Sequence, residues 1–393
     1  MSELKDFLLG ILKQRSYVIF ALFTLAFVTL MTFVEIKNGK FWTNDLYVYY
    51  GAAKDYFRGL SPYEHAYRLN SGLFKYPPPV LYFFTPFLGL SYFSAQMVHV
   101  VCSWIALTLS LIMLHRTVSS LVGEKLQRLG ILWGSFALIA IHGVREFHMG
   151  NINLQLLFLL CLGLFFFRNH KASFASICFA LVILFKPFFI ILLFPFIFSE
   201  LKFFLRVCIF GMALSIITIF FTGIDLWEQW IAAVFRHGDY QVNHDSVGAL
   251  AKTYFGIDKE GMVAFGLMLF AFMAILADKL RFHKVQTTEW VVFLIALVPS
   301  VFKTDTQHFL MTVPLLVVLL NELADRQKGF LWLLFGLLVL GFSLNSNDLL
   351  GKELGSFVTQ CGFLGISNLG LILFYVYLLF NRSNGATSLK ANS

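Results

Sequence analysis

Residues 17–34, YVIFALFTLAFVTLMTFV, decide the fold class, because the run is apolar from end to end and carries no charge. Its length is close to the ~20 residues a helix needs to cross a bilayer. The preceding stretch, MSELKDFLLGILKQRS, is basic toward its end, as the start of a signal peptide would be. The run is nevertheless too long for a secretory apolar region, and no small-residue cleavage site follows it. A retained first membrane span is expected.

The whole sequence of 393 residues keeps the pattern: 58% are hydrophobic and 13% charged, and the mean hydropathy is +0.76. Soluble domains carry about 25% charged residues, so the sequence predicts an all-α polytopic membrane protein. The short alternating segments of an outer-membrane barrel are absent. Cys102, Cys161, Cys178, Cys208 and Cys361 all lie in apolar runs, with no CxxC or Cys/His spacing. They read as small packed hydrophobes rather than disulfides or a zinc site.

Further candidate spans are 95–114, 129–141, 154–167, 174–185, 187–198, 203–222, 262–277, 290–302, 309–320, 330–344 and 363–380. The connections 116–128, 168–171, 199–206, 278–284, 322–328 and the tail 381–393 are short, and each is basic or close to balanced. Placing them in the cytoplasm satisfies the positive-inside rule, giving about twelve crossings with both termini inside. The net charge of +8 is then a topology signal and not a nucleic-acid footprint. One segment must not cross: 76–93, YPPPVLYFFTPFLGLSYF, is broken by four prolines and reads as re-entrant or interfacial. One membrane domain over 1–393 is expected, with extracytoplasmic loops at 35–94 and 223–261 and a polar tail at 381–393.

That topology gathers the chemistry-capable side chains on the outer face. The first loop holds Asp45, Tyr49, Lys75 and Tyr76; HGVREFHMGNINLQ holds Arg145, His148, Asn151 and Asn153; the second long loop holds Arg236, Asn243, Ser246 and Lys252. Lys186 and His308 stand at the edges of apolar runs. Each has an ordinary explanation as well as a chemical one. Lys186, just before Pro187, is either a snorkelling hairpin lysine or an anion ligand. His308 is a satisfied helix-end histidine or a reactive one, and Asn151 and Asn153 cap the following span or line a site. In FWTNDLYVYYGAAKDYFRGLSPY, residues 41–63, the apolar positions Leu46, Tyr49, Tyr50, Ala53, Phe57 and Leu60 predict an amphipathic interfacial helix. Asp45 then stands at its N-cap position, as a cap or as a reagent.

The segment DLYVYYGAAKDYFRGLSPY…FKYPPPVLYFFTPF resembles the N-terminal signature of glycosyltransferase family 87. HMGNINLQLLFLL, FALVILFKPFFIILLFPF, VNHDSVGAL and DTQHFLMTVPLL are similar to later segments of that family, in the same order. Asn151 departs from the glutamine that many members carry. The resemblance implies a GT-C architecture in a bacterial inner membrane, with interfacial helices in the first outer loop. It also implies a hexosyltransferase that uses a polyprenyl-phosphate sugar donor, mannose-like, and a lipid- or polymer-linked glycan acceptor. By the same resemblance Asp45 is the general base, while Lys186 and His308 partner the donor phosphate. Arg145, Arg236 and Lys252 are further phosphate candidates by their outer-face location. Tyr49, Lys75, Tyr76, His148, Asn151, Asn153, Asn243 and Ser246 are candidates for holding substrate. In-line displacement would invert the anomeric centre, and no DxD-like pair stands in the first loop, so no metal cofactor is expected. The competing class is a secondary transporter or flippase of lipid-linked sugars, which would usually show paired repeats.

Overall fold

Apolar residues on every side of a helix mark a segment with no water-facing surface, and such helices dominate the computed structural model. It describes residues 2–69, 72–119, 125–238, 244–302, 304–326 and 328–390, so Asn243 lies outside the described residues. In chain order the helices are α1 (Ser2–Lys13), α2 (Arg15–Lys37), α3 (Asn44–Tyr56), α4 (Pro79–Phe84), α5 (Tyr92–Ser119), α6 (Lys125–Met149) and α7 (Asn153–Arg168). There follow α8 (Ala172–Phe185), α9 (Phe194–Ser199), α10 (Leu201–Thr222), α11 (Asp225–Gly238), α12 (Val247–Phe255), α13 (Glu260–Ala277) and α14 (Thr287–Val301). The last are α15 (Val313–Arg326), α16 (Gly329–Ser343), α17 (Asn347–Leu350), α18 (Lys352–Gln360) and α19 (Phe363–Lys390). Among the described residues there is no strand, only a single bridge between Ala66 and Leu73.

Among the described residues, six segments are long and apolar enough to cross a membrane: Arg15–Lys37, Tyr92–Thr117, Leu201–Thr222, Glu260–Phe282, Thr306–Ala324 and Phe363–Asn381. Six shorter apolar helices accompany them, among them Pro79–Gly89 in the proline-rich segment. A bundle of about twelve crossings therefore requires short helices to cross as well.

The helices fall into two compact units. The first comprises residues 1–136, 143–171 and 212–240. In it α2 buries only Tyr17, Phe20, Thr24, Val28 and Thr32, a stripe at helical spacing. Its polar members meet partners on α5: Tyr17 Oη lies 3.0 Å from His115 Nδ1, and Thr24 Oγ1 lies 3.0 Å from Thr108 Oγ1. Hydrogen bonds of this kind join helices where lipid offers none. The second unit comprises residues 137–142, 172–211 and 241–393. Its centre is α14, buried continuously from Trp290 to Val301. Pro299 inside α14 gives no N–H to the ladder, and Asn368 of α19 stitches this turn. It donates to Ala296 O at 2.9 Å and Ser300 Oγ at 2.8 Å and accepts from Thr312 Oγ1 at 2.6 Å.

Three local readings need correction. HGVREFHM, expected on the outer face beyond a span ending at residue 141, is the last two turns of α6, which runs unbroken until Gly150 reverses it at φ +67°. The second long loop contains two helices, α11 and α12. The N-cap of α3 is Thr43, not Asp45, and α3 stops at Tyr56, leaving Phe57 and Leu60 exposed.

Candidate active site

Asp45 sits in the first turn of α3, where a carboxylate meets the positive end of the helix dipole. It is half-buried, and its Oδ2 accepts a hydrogen bond from Asn151 Nδ2 at 2.6 Å. The orientation of that amide follows from its other end. Asn151 Oδ1 accepts from Ile152 N–H at 2.7 Å and from Tyr49 Oη at 3.2 Å, so the amino group must face Asp45. Tyr49 Oη is in turn 2.9 Å from Tyr76 Oη. The protons therefore run one way, Tyr76 to Tyr49 to Asn151, with Asn151 donating to the carboxylate. Tyr49 is fully enclosed, and burial, then the neighbouring Tyr76 and Asp45, push its phenol well above its ordinary value. It stays a neutral donor.

Two elements hold this chain in register. One is α5, where Tyr92, Gln96 and His99 follow each other at helical spacing. Gln96 Nε2 donates to Thr43 Oγ1 at 2.6 Å, Tyr92 Oη donates to Thr43 O at 3.0 Å, and His99 Nε2 donates to Asn151 O at 3.0 Å. The rail thus grips the chain on both sides of the Asp45–Asn151 contact. The other element is the α6–α7 turn. Thr43 N–H donates to His148 O at 3.0 Å, and Thr43 is left-handed at φ 41°, an unfavourable state for a β-branched residue. A Cβ on Gly150 would come within 2.8 Å of Thr43 Cβ and 3.0 Å of Leu46 Cβ. Only glycine permits both that φ and that approach.

Glu146, buried at the end of α6, bonds the start of α7. Its Oε1 accepts from Asn153 N–H and Leu154 N–H, and its Oε2 accepts from Asn153 Nδ2 at 2.9 Å. Helix N-termini leave amides unsatisfied; here the Glu146 carboxylate takes those of Asn153 and Leu154, and Asn151 Oδ1 takes that of Ile152. His148 donates from Nδ1 to Glu35 Oε1 at 2.8 Å, with Trp42 against its ring.

In the second unit, α8 ends at Phe185 and the chain turns at Lys186–Pro187 into a 3₁₀ segment, Pro187–Leu193. Phe179 and Phe196, in contact at 5.7 Å between centroids, show that the chain folds back on itself. Lys186 is only 4% exposed, so it does not snorkel. Its Nζ lies 2.7 Å from His308 Nε2. The carbonyl of Asp305 accepts from His308 Nδ1 at 3.2 Å, which leaves Nε2 facing the Lys186 amine. The result is a buried lysine amine held against an imidazole.

The remaining expected residues have other employment. Ser246 caps α12, accepting from Ala249 N–H at 3.3 Å. Lys252 makes a solvated ion pair with Asp258 at 3.3 Å, a type worth little. Arg236 Nη2 donates to Tyr63 O at 3.2 Å, and the carbonyl of Lys75 accepts from Trp230 Nε1 at 3.0 Å. Arg145 is half-buried near the end of α6. Gln96 and His99 escaped the sequence reading; polar residues inside an apolar run are the signal that marks them. Among the described residues, no group of three or more His, Cys, Asp and Glu is placed to hold a metal ion.

A family model described as glycosyltransferase family 87 matches residues 74–304. Tyr76, Glu146, Asn151 and Lys186 fall inside the matched segment, whereas Asp45, Tyr49 and His308 lie outside it. No curated protein and no solved structure matches the chain significantly. Matched over more than half of its length and built from long apolar helices, the chain belongs to glycosyltransferase family 87, a family of membrane glycosyltransferases.

Proposed function

We propose that the protein transfers a mannose-like hexose from a polyprenyl-phosphate donor to a lipid- or polymer-linked glycan on the extracytoplasmic face, with inversion. The observation that carries the reading is the half-buried Asp45 carboxylate, tethered through one oxygen to Asn151 while staying partly open to the surface. In this role Asp45 takes the proton of the acceptor hydroxyl as its oxygen bonds to the anomeric carbon. The bond from that carbon to the phosphate oxygen breaks, and polyprenyl phosphate departs with the electron pair. A carboxylate within hydrogen-bond reach of the hydroxyl is a competent base. Preorganised cations stabilise charge as it grows on a leaving group, and Lys186, backed by His308, has that role. Neither role calls for a metal, so EDTA treatment should leave the rate unchanged.

The test is incubation of the purified protein in lipid nanodiscs with a polyprenyl-phosphate mannose and a membrane glycolipid extract. Mass spectrometry should find a glycolipid heavier by one hexose, and NMR should find an anomeric configuration opposite to the donor's. Counterflow of the intact lipid-linked sugar in proteoliposomes, with no covalent product, would replace the transferase reading with a transporter.

A further inference from the structure

Helix α11 carries three different surfaces around its axis. One faces the first outer segment of the same unit. Leu226 and Ala233 are buried on it, Gln229 Oε1 accepts from Ser61 Oγ at 2.6 Å, Trp230 Nε1 donates to Lys75 O, and Arg236 Nη2 donates to Tyr63 O. A second surface is apolar and open: Ile231, Val234 and Phe235 are 50%, 42% and 77% exposed. Asp225 and Glu228, also exposed, form a third at the start of the helix. A helix with one protein face, one apolar face and one charged face suits the boundary between a bilayer and water.

Chain continuity identifies what covers the apolar face. Directly before α11, the span Leu201–Thr222 has only 17% of its apolar window buried. Its last turns leave Ile216, Phe220 and Phe221 bare, and a bilayer is the solvent such a surface requires. Gly223, at φ +76°, turns the chain, and α11 begins two residues later. The open face of α11 therefore begins one glycine turn beyond the exposed end of a membrane span.

We propose that α11 lies in the bilayer interface on Ile231, Val234 and Phe235, and that from this seat it positions the segment 61–76 of the first outer loop. The far end of that segment carries Tyr76, whose backbone carbonyl accepts from Tyr63 Oη at 2.8 Å. Lipid contact at α11 is thereby linked through Tyr76 and Tyr49 to Asn151 and Asp45. The seat stands on exposure and chain continuity and its hold on the segment on hydrogen bonds; only the consequence for catalysis rests on the proposed function.

Two measurements on the full-length protein in phosphatidylcholine–phosphatidylglycerol nanodiscs test it. A bimane label is placed on Phe235→Cys in a Cys102→Ser background, with the labelled background subtracted. Lipids carrying a nitroxide on the acyl chain should quench it several-fold more than aqueous iodide; the reverse order removes α11 from the membrane. Hydrogen exchange is then followed for Val234→Asp/Phe235→Asp. Segment 61–76 should exchange several-fold faster than in wild type while α14 is unchanged. Unaltered exchange in 61–76 would overturn the positioning role even where the quenching result stands. Because Phe235→Cys is mild, the first measurement decides the lipid seat even if the double aspartate variant fails to fold. Sugar transfer plays no part in either readout, so failure of the proposed chemistry and failure of this inference remain distinguishable.

Discussion

Asn151 presents its amino group to Asp45 at 2.6 Å because its carbonyl oxygen is already committed to Ile152 N–H and Tyr49 Oη. Asn151 is therefore a positioning residue for Asp45. Asn151→Ala removes one hydrogen bond to a charged acceptor, worth about 1.5–3 kcal/mol, so kcat should fall about 10- to 100-fold. The KM for the lipid-linked donor should stay near wild type. A raised KM with unchanged kcat would make Asn151 a substrate ligand instead.

Gly150, in the α6–α7 turn, lies against Thr43 and Leu46 at the start of α3. Gly150→Ala combines a left-handed backbone with overlap against Thr43 and Leu46, and should cost about 1–3 kcal/mol of stability. Gly143 is the control, since it lies in helical α6 and a Cβ added there would meet nothing within 4 Å. Gly143→Ala should be neutral or stabilising by up to about 1 kcal/mol. Thermal unfolding in one detergent, read for both variants, checks the difference.

Lys186 and His308 form one buried pair. Lys186→Met keeps the volume and deletes the charge, and it should raise the donor KM by about tenfold or more while leaving the acceptor KM unchanged. Lys186→Arg should recover only part of the loss, because a planar guanidinium does not replace a point charge in a fitted site. Equal loss toward donor and acceptor would indicate a structural lysine.

Burial raises the phenols of Tyr49, beside Tyr76 and Asp45, and of Tyr63, near Tyr67, above the ordinary tyrosine value. The sign is fixed by linkage. Below about pH 10 both states hold the proton and stability does not change on this account. Above it the unfolded chain ionises while the folded one resists, so stability falls by roughly 1.4 kcal/mol per pH unit for each tyrosine. Unfolding midpoints taken between about pH 9 and 11 should drop more steeply in wild type than in Tyr49→Phe/Tyr63→Phe.

How far these features are legible in the sequence depends on whether a residue's partner is near it in the chain. The apolar runs and the amphipathic spacing around Leu46 and Tyr49 are local patterns, and both appear as helices. Local preference puts aspartate at the cap of α3, whereas the left-handed Thr43 that takes that place is held by Gln96, Tyr92 and His148 from other helices. Charges in HGVREFHM read as a loop, yet Glu146 is buried because α7 supplies amides to it. Lys186 reads equally well as a snorkelling residue, since depth is not written in a lysine; His308, far away in the chain, supplies the contact.

The most direct test of the central claim is sugar transfer by purified Asp45→Asn, which keeps the size and hydrogen-bonding shape of the side chain but removes the base. The account predicts a rate lower by on the order of 10²–10⁴-fold, with donor binding and thermal unfolding close to wild type. Wild-type transfer by a folded Asp45→Asn protein would contradict it and leave Asp45 a structural partner of Asn151.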